Sequence, residues 1–205
     1  MRSNENTKYK KNTWSQLLTS FLPASLILGG LALPLPSNIS YAASKTELSI
    51  GISQEFETLN PLIMQMAAST YLFSYVGRTL VSLDSNGKWY PQLAKSIPTV
   101  ENGQAKIITV GGKKTVQAVW EIKDNAKWGD GNPVICKDFQ LAITVAGSNN
   151  VSIPSKEVYT QIEKIEIDPK NPKKCTFTYD KARWDFNQLS STYPLPAHLE
   201  TSLFE

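Results

Sequence analysis

The chain has 205 residues, of which 41% are apolar, 10% aromatic and 19% charged. That balance excludes an intrinsically disordered chain, which combines low hydrophobicity with high net charge. The net charge of +3 resides in residues 1–42, where Arg2, Lys8, Lys10 and Lys11 face Glu5 alone, and the other 163 residues hold 17 basic and 17 acidic groups. An electroneutral body lacks the basic surface that phosphate neutralisation demands, so no nucleic-acid partner is expected.

In chain order, the first feature is an address. Lys11 and Lys45 enclose 33 uncharged residues with an apolar core from Leu17 to Leu35, followed by Ser40-Tyr41-Ala42-Ala43. A basic start, an apolar middle and a small-residue site spell a secretory signal peptide over 1–42, cut after Ala42. The nineteen residues from Leu17 to Leu35 are long enough to span a bilayer, so a membrane anchor is the competing reading. Pro23, Gly29, Gly30, Pro34 and Pro36 disfavour a permanent helix there. No cysteine lies near the cut to carry a lipid. The mature protein is expected to be exported and soluble, in a periplasm.

Thr46 to Ser53 alternates apolar and polar residues and predicts a strand. Gln54 to Pro61 is a loop, and Leu62 to Leu80 has helical spacing. Leu80 to Asp84 predicts a short strand before a turn at Ser85-Asn86-Gly87-Lys88. Tyr90 to Ile97 carries a short helical pattern. Lys106 to Val110 and Lys113 to Lys123 form a hairpin around Gly111-Gly112. Asp124 to Val134 is a turn-rich loop, and Cys136 to Ala146 a helix ended by Gly147. Gln161 to Asp168 and Lys174 to Tyr179 form a second hairpin around Pro169-Lys170-Asn171-Pro172. A short helix is expected over Arg183 to Ser190. The order is mixed α/β, without repeats.

Export bears on the two cysteines. An oxidising compartment permits a Cys136–Cys175 disulfide, while two separate buried thiols are the alternative. With one histidine, His198, they cannot complete a Cys/His zinc site, and no metal or cofactor is expected. Catalytic constellations are missing too. Gly112-Lys113-Lys114-Thr115 lacks the earlier glycine of a phosphate loop, that position being Ile107. His198 has no nucleophile elbow to serve. Glu55 and Glu57 form a carboxylate pair that solvation explains as well as glycosidase chemistry does. Asp124, Asp130 and Asp138 do not follow the calcium-loop pattern.

Several short motifs carry more weight together. They are Glu57-Thr58-Leu59-Asn60-Pro61, Tyr90-Pro91-Gln92-Leu93-Ala94, the stretch Val119 to Val134 with Trp128, Asp130, Gly131 and Pro133, then Asp138-Phe139, Ile165 to Tyr179, and Leu195-Pro196-Ala197-His198. In this order they resemble the extracytoplasmic solute-binding proteins of peptide-type ABC importers, family 5. The resemblance covers the mature chain, and the Trp-x-Asp-Gly-x-Pro element is its most specific part. Pro98-Thr99 departs from the pattern, as does Cys136, where the family has a small alanine. The chain is also several hundred residues shorter than family members.

The resemblance implies an α/β fold, the N-terminal part of a class II periplasmic-binding-protein-like fold. Residues 43–70 would begin lobe I, 71–192 form an extra α+β domain, and 193–205 start the return to lobe I, without the second lobe that closes on ligand. It implies a non-enzymatic function: binding of peptide or another small solute by a monomer that delivers it to a membrane permease. Glu55, Phe56 and Glu57 match the segment lining the cleft, and they equally well just end the first strand. Leu59, Asn60, Pro61, Trp128, Asp130, Gly131 and Pro133 are expected to be structural, with a tight Asp-Gly turn over a packed tryptophan. The alternative function is an exported interaction or structural module, or a non-functional fragment of such a binding protein.

Overall fold

A computed structural model describes residues 49–204. The expected leader at 1–42, with its cut after Ala42, lies outside the described residues. The elements are α1 (Ala67–Val76), β1 (Val81–Leu83), β2 (Trp89–Pro91), β3 (Ala105–Val110), β4 (Lys113–Glu121), α2 (Cys136–Gly147), α3 (Glu157–Thr160), β5 (Ile162–Asp168), β6 (Asn171–Tyr179) and α4 (Ala197–Phe204).

Four strands make an antiparallel sheet in the order β3-β4-β6-β5. The first hairpin turns on Gly111-Gly112, with Val110 paired to Lys113. Both glycines have positive φ, 54° and 81°, as a two-residue hairpin turn requires. Along β4, Val116, Ala118 and Trp120 point inward and are buried, the period-2 alternation of a half-covered sheet. Ala118 lies opposite Phe177 and Trp120 opposite Cys175 on β6. The second hairpin is tighter than its four-residue signal, pairing Asp168 with Asn171 around Pro169-Lys170.

Helix α2 holds the two halves of the core together. Cys136 and Phe139 join the buried sheet residues, with the Phe139 and Phe177 rings 6.3 Å apart. Leu141, Ala142 and Ala146 bury against Leu62, Tyr159, Leu195 and Ala197. Cys136, the first residue of α2, is bonded to Cys175 in mid-sheet, at 2.06 Å. β1 and β2 form a small hairpin of their own. An isolated bridge between Ala94 and Ile122, just beyond β4, ties the chain after that hairpin to the sheet.

Four expectations change. Residues 49–53 form no strand, and Ile50 and Ile52 are exposed. A strand takes its hydrogen bonds from a neighbour, and none of the described residues pairs with this segment. The helix expected over 62–80 is shorter, 67–76, because the Asn60 carbonyl captures the Ile63 and Met64 N–H groups in a preceding turn. Tyr90 to Ile97 is not helical. Its backbone is spent on tertiary pairing, with Gln92 and Ala94 donating to the Leu80 carbonyl and Leu93 to that of Thr79. Arg183 to Ser190 holds a turn at 184–187 instead of a helix. There the Phe186 carbonyl accepts from the buried Tyr179 hydroxyl and the Asn187 side chain reaches the Pro98 carbonyl. Helices α3 and α4 had no sequence expectation. Among the described residues, no helix is long and apolar enough to cross a membrane.

Candidate functional site

Two regions carry the residues singled out by sequence. The first is the segment entering α1. Glu55 and Phe56 are exposed, Phe56 at 47%. The Glu57 side chain turns back onto the start of α1. Its Oε1 accepts from the Gln65 and Met66 N–H groups at 2.6 and 2.8 Å, and its Oε2 accepts from the Ser69 hydroxyl at 2.7 Å. Met66 cannot cap its own helix, so a carboxylate nine residues upstream satisfies donors that a helix start leaves free. The Ser69 hydroxyl, then the two backbone donors, hold the Glu57 carboxyl down at about 2.

Leu59 stays 41% exposed. Asn60 builds the turn before α1: its side-chain oxygen accepts from the Leu62 N–H at 3.0 Å, and its own N–H donates to the Thr58 hydroxyl. Pro61 opens that turn and is half-buried. Beside the segment, a depression of about 180 Å³ is lined by residues 51–54 with Ala68 and Tyr71.

The second region is the loop before α2. Lys127 and Pro133 bridge its two arms, and the Trp128 N–H donates to the Asn132 carbonyl at 2.8 Å. Gly131 closes the turn at φ 89°, a conformation that a Cβ makes costly. The Asp130 carboxylate accepts from the Asn132 backbone and side-chain N–H groups, both at 2.9 Å. It also lies 2.6 Å from His198 Nε2 on α4. The Asn132 donors first, and His198 after them, lower its carboxyl to about 2.

Sequence reasoning placed Asp138 only at a helix start, yet this side chain organises the region. It is 1% exposed. Its Oδ2 accepts from the Trp128 indole N–H at 3.0 Å and the Ile135 N–H at 2.9 Å, and its Oδ1 accepts from the Ala197 N–H at 2.9 Å. Its carbonyl accepts from Leu195. One buried carboxylate thus joins the Trp128 loop, the start of α2 and the start of α4. Burial pushes its carboxyl above the usual value, against the pull of the Ile135, Ala197 and Trp128 donors. An acid at the third position of a helix was the available signal. His198, set aside as a catalytic base, is the partner of Asp130.

The fold brings Trp128, Asp130, Gly131 and Pro133 together with Asp138 and His198, and it ties Glu57 to the start of α1. An apolar cavity of about 270 Å³ lies between Phe73 and Val76 of α1, Leu93, Trp128, Val134 and Tyr193. Among the described residues, no cluster of three or more His, Cys, Asp or Glu side chains is placed to hold a metal.

No protein-family model matches the chain, and no curated protein matches it. Solved structures do, and they are substrate-binding proteins. The oligopeptide-binding protein of Thermus thermophilus complexed with a pentapeptide matches at TM-score 0.58 and 21% identity, over 70% of this chain and 24% of that one. The oligopeptide-binding protein AppA of Bacillus subtilis, in complex with a nonapeptide, matches at TM-score 0.56 and 24% identity, over 76% of this chain and 28% of that one. NikZ of Campylobacter jejuni, in complex with Ni(L-His), matches at TM-score 0.52 and 21% identity, over 71% and 26%. The described residues therefore have the mixed α/β fold of a part of these binding proteins, and the chain spans about a quarter of their length.

Proposed function

We propose that the chain is part of the substrate-binding component of an ABC importer, taking up peptides or a related small solute outside the cytoplasmic membrane. The observation that carries this reading is the fold shared with proteins solved around a pentapeptide and a nonapeptide. On this reading residues 1–42 export the chain and are cut off after Ala42, the mature protein works as a monomer beside a membrane permease, and no catalytic step is involved. Residues 43–70 belong to the first lobe, 71–192 to the extra domain, and 193–205 lead back.

The ligand-facing groups we assign are Glu55, Phe56 and Glu57, in a mode where peptide main chain pairs with protein main chain, like a strand added to a sheet. Since α1 occupies the Glu57 carboxylate, that segment offers its backbone and the Phe56 ring. One wall encloses far less than the ~70–90% of ligand surface that a small-ligand site buries. A complete cleft working at micromolar affinity, about −8 kcal/mol, falls toward millimolar, about −4 kcal/mol, when one wall acts alone.

Calorimetric titration with a mixed pool of short peptides tests the reading on two proteins: residues 43–205, and a version carrying the rest of the fold. Micromolar heat is expected only from the second. Silence from both would remove peptide as the ligand.

A further inference from the structure

The turn that follows β6 lies outside the segment assigned to the ligand. Trp184 is 81% exposed, whereas Trp120 is fully buried and Trp89 and Trp128 are half-buried. Exposing an indole to water is unfavourable, so an exposed tryptophan on a fixed turn calls for an explanation. The turn is held by its neighbours. Arg183 grips Asp185 with two hydrogen bonds of 2.7 and 3.0 Å, and Phe186 is anchored by the Tyr179 hydroxyl.

Basic residues lie next to this turn, in the chain and on the neighbouring strand. The Ala182 N–H donates to the Lys114 carbonyl at 2.8 Å, which lays the turn beside the start of β4 and the Gly111-Gly112 tip. Lys113, Lys114 and Lys181 are all exposed. Among the described residues, none of the three has a carboxylate within salt-bridge distance. Val110, paired with Lys113 across the tip, is 52% exposed. Asp185 is neutralised by Arg183, and the acids nearest Lys181 are Asp180 and Glu157, which line one depression with it. A protruding indole, an exposed valine and three free lysines at one end of a sheet match the two signals that hold a protein on an anionic bilayer. Tryptophan prefers the headgroup level, and lysines are drawn to the negative surface.

We propose that this end of the sheet is a membrane-docking surface, with Trp184 seated among the headgroups of an anionic lipid layer and Lys113, Lys114 and Lys181 facing their phosphates. The surface is peripheral and reversible, since it offers one aromatic anchor and three charges.

The test uses the full chain carrying Trp14→Phe, with vesicles of phosphatidylglycerol or of phosphatidylcholine, each containing brominated acyl chains that quench nearby indoles. The basic residues Arg2, Lys8, Lys10 and Lys11 before the apolar stretch Leu17–Leu35 draw the chain to anionic lipid as well, so the patch is read from the change that its own variants make on the same lipid. Quenching is expected on phosphatidylglycerol, largely abolished by added salt and by Trp184→Phe. The triple variant Lys113→Gln, Lys114→Gln, Lys181→Gln should need about a hundredfold more anionic lipid for the same quenching. Equal quenching on both lipids, quenching that persists in Trp184→Phe, or a triple variant indistinguishable from the parent would each overturn the proposal.

Discussion

The α2-and-sheet region and the segment entering α1 are built from similar residues and behave in opposite ways. In the first, Trp120, Phe139, Phe177 and Ile122 are completely buried. In the second, Ile50, Ile52, Phe56, Leu59 and Tyr71 are between 37% and 63% exposed. The difference lies in the partners. Each buried strand has a paired neighbour, and a helix lies across the sheet. Residues 49–59 have neither among the described residues, and what fixes the entry to α1 is polar: the Glu57 carboxylate and the Asn60 turn. Apolar side chains stabilise only where something covers them, so the first region should carry nearly all the stability of this part of the chain.

Mutation can break that contrast. Phe177→Ala should cost about 3–5 kcal/mol, as large core truncations do, while Tyr71→Ala should stay within about 0.5 kcal/mol. Urea denaturation of both variants measures this, and comparable losses would mean that α1 is packed far more tightly than its exposure suggests.

The disulfide sharpens the same contrast, because it closes a 39-residue separation within the first region alone. Replacing Cys136 and Cys175 with serine should lower stability by about 4 kcal/mol by the chain-entropy argument. Thiol trapping of oxidised protein should find no free cysteine before reduction and two after it. Two reactive thiols before reduction would remove the bond.

A smaller effect is expected at Gly131. Valine there places a branched Cβ at φ 89° and should cost about 1–2 kcal/mol. The loss should be accompanied by a weakened Trp128 environment, visible as a red shift in its fluorescence.

The smallest effect is acid dependence, and its sign differs between groups. Glu57 and Asp130 have folded values of about 2, below their ordinary 4.5 and 3.8. Their contribution is present above those ordinary values and is lost as pH falls toward 2. Both groups are exposed, so the change is modest, and Glu57→Gln should flatten part of it. Asp138 runs the other way. Burial raises its value, so its ionised form opposes folding, and acidification through its own titration relieves that penalty. Stability against pH for Asp138→Asn, set beside Glu57→Gln, should show slopes changed in opposite directions. Parallel changes would show that Asp138 is better solvated than its 1% exposure implies.

The sequence alone determined what depends on near neighbours. The Gly111-Gly112 hairpin, the alternation of β4, the helix from Cys136 to Gly147 and the tight Asp130-Gly131 turn all follow from residues a few positions apart, because turn chemistry and side-chain period act locally. The motif order Thr58-Leu59-Asn60-Pro61, Trp128-x-Asp130-Gly131-x-Pro133 and Pro196-Ala197-His198 also pointed to the binding-protein fold.

Only the tertiary structure decided what depends on distant partners. Tyr90 to Ile97 has a helical pattern but spends its hydrogen bonds on Thr79 and Leu80. The Glu57 carboxylate caps α1 from nine residues upstream, a contact that its place in the sequence did not announce. Asp138 gathers donors from residues 128, 135 and 197, and His198 meets Asp130 across 68 positions. A carboxylate accepts from whichever donors the fold brings within 3 Å of it, and spacing along the chain carries no record of that meeting.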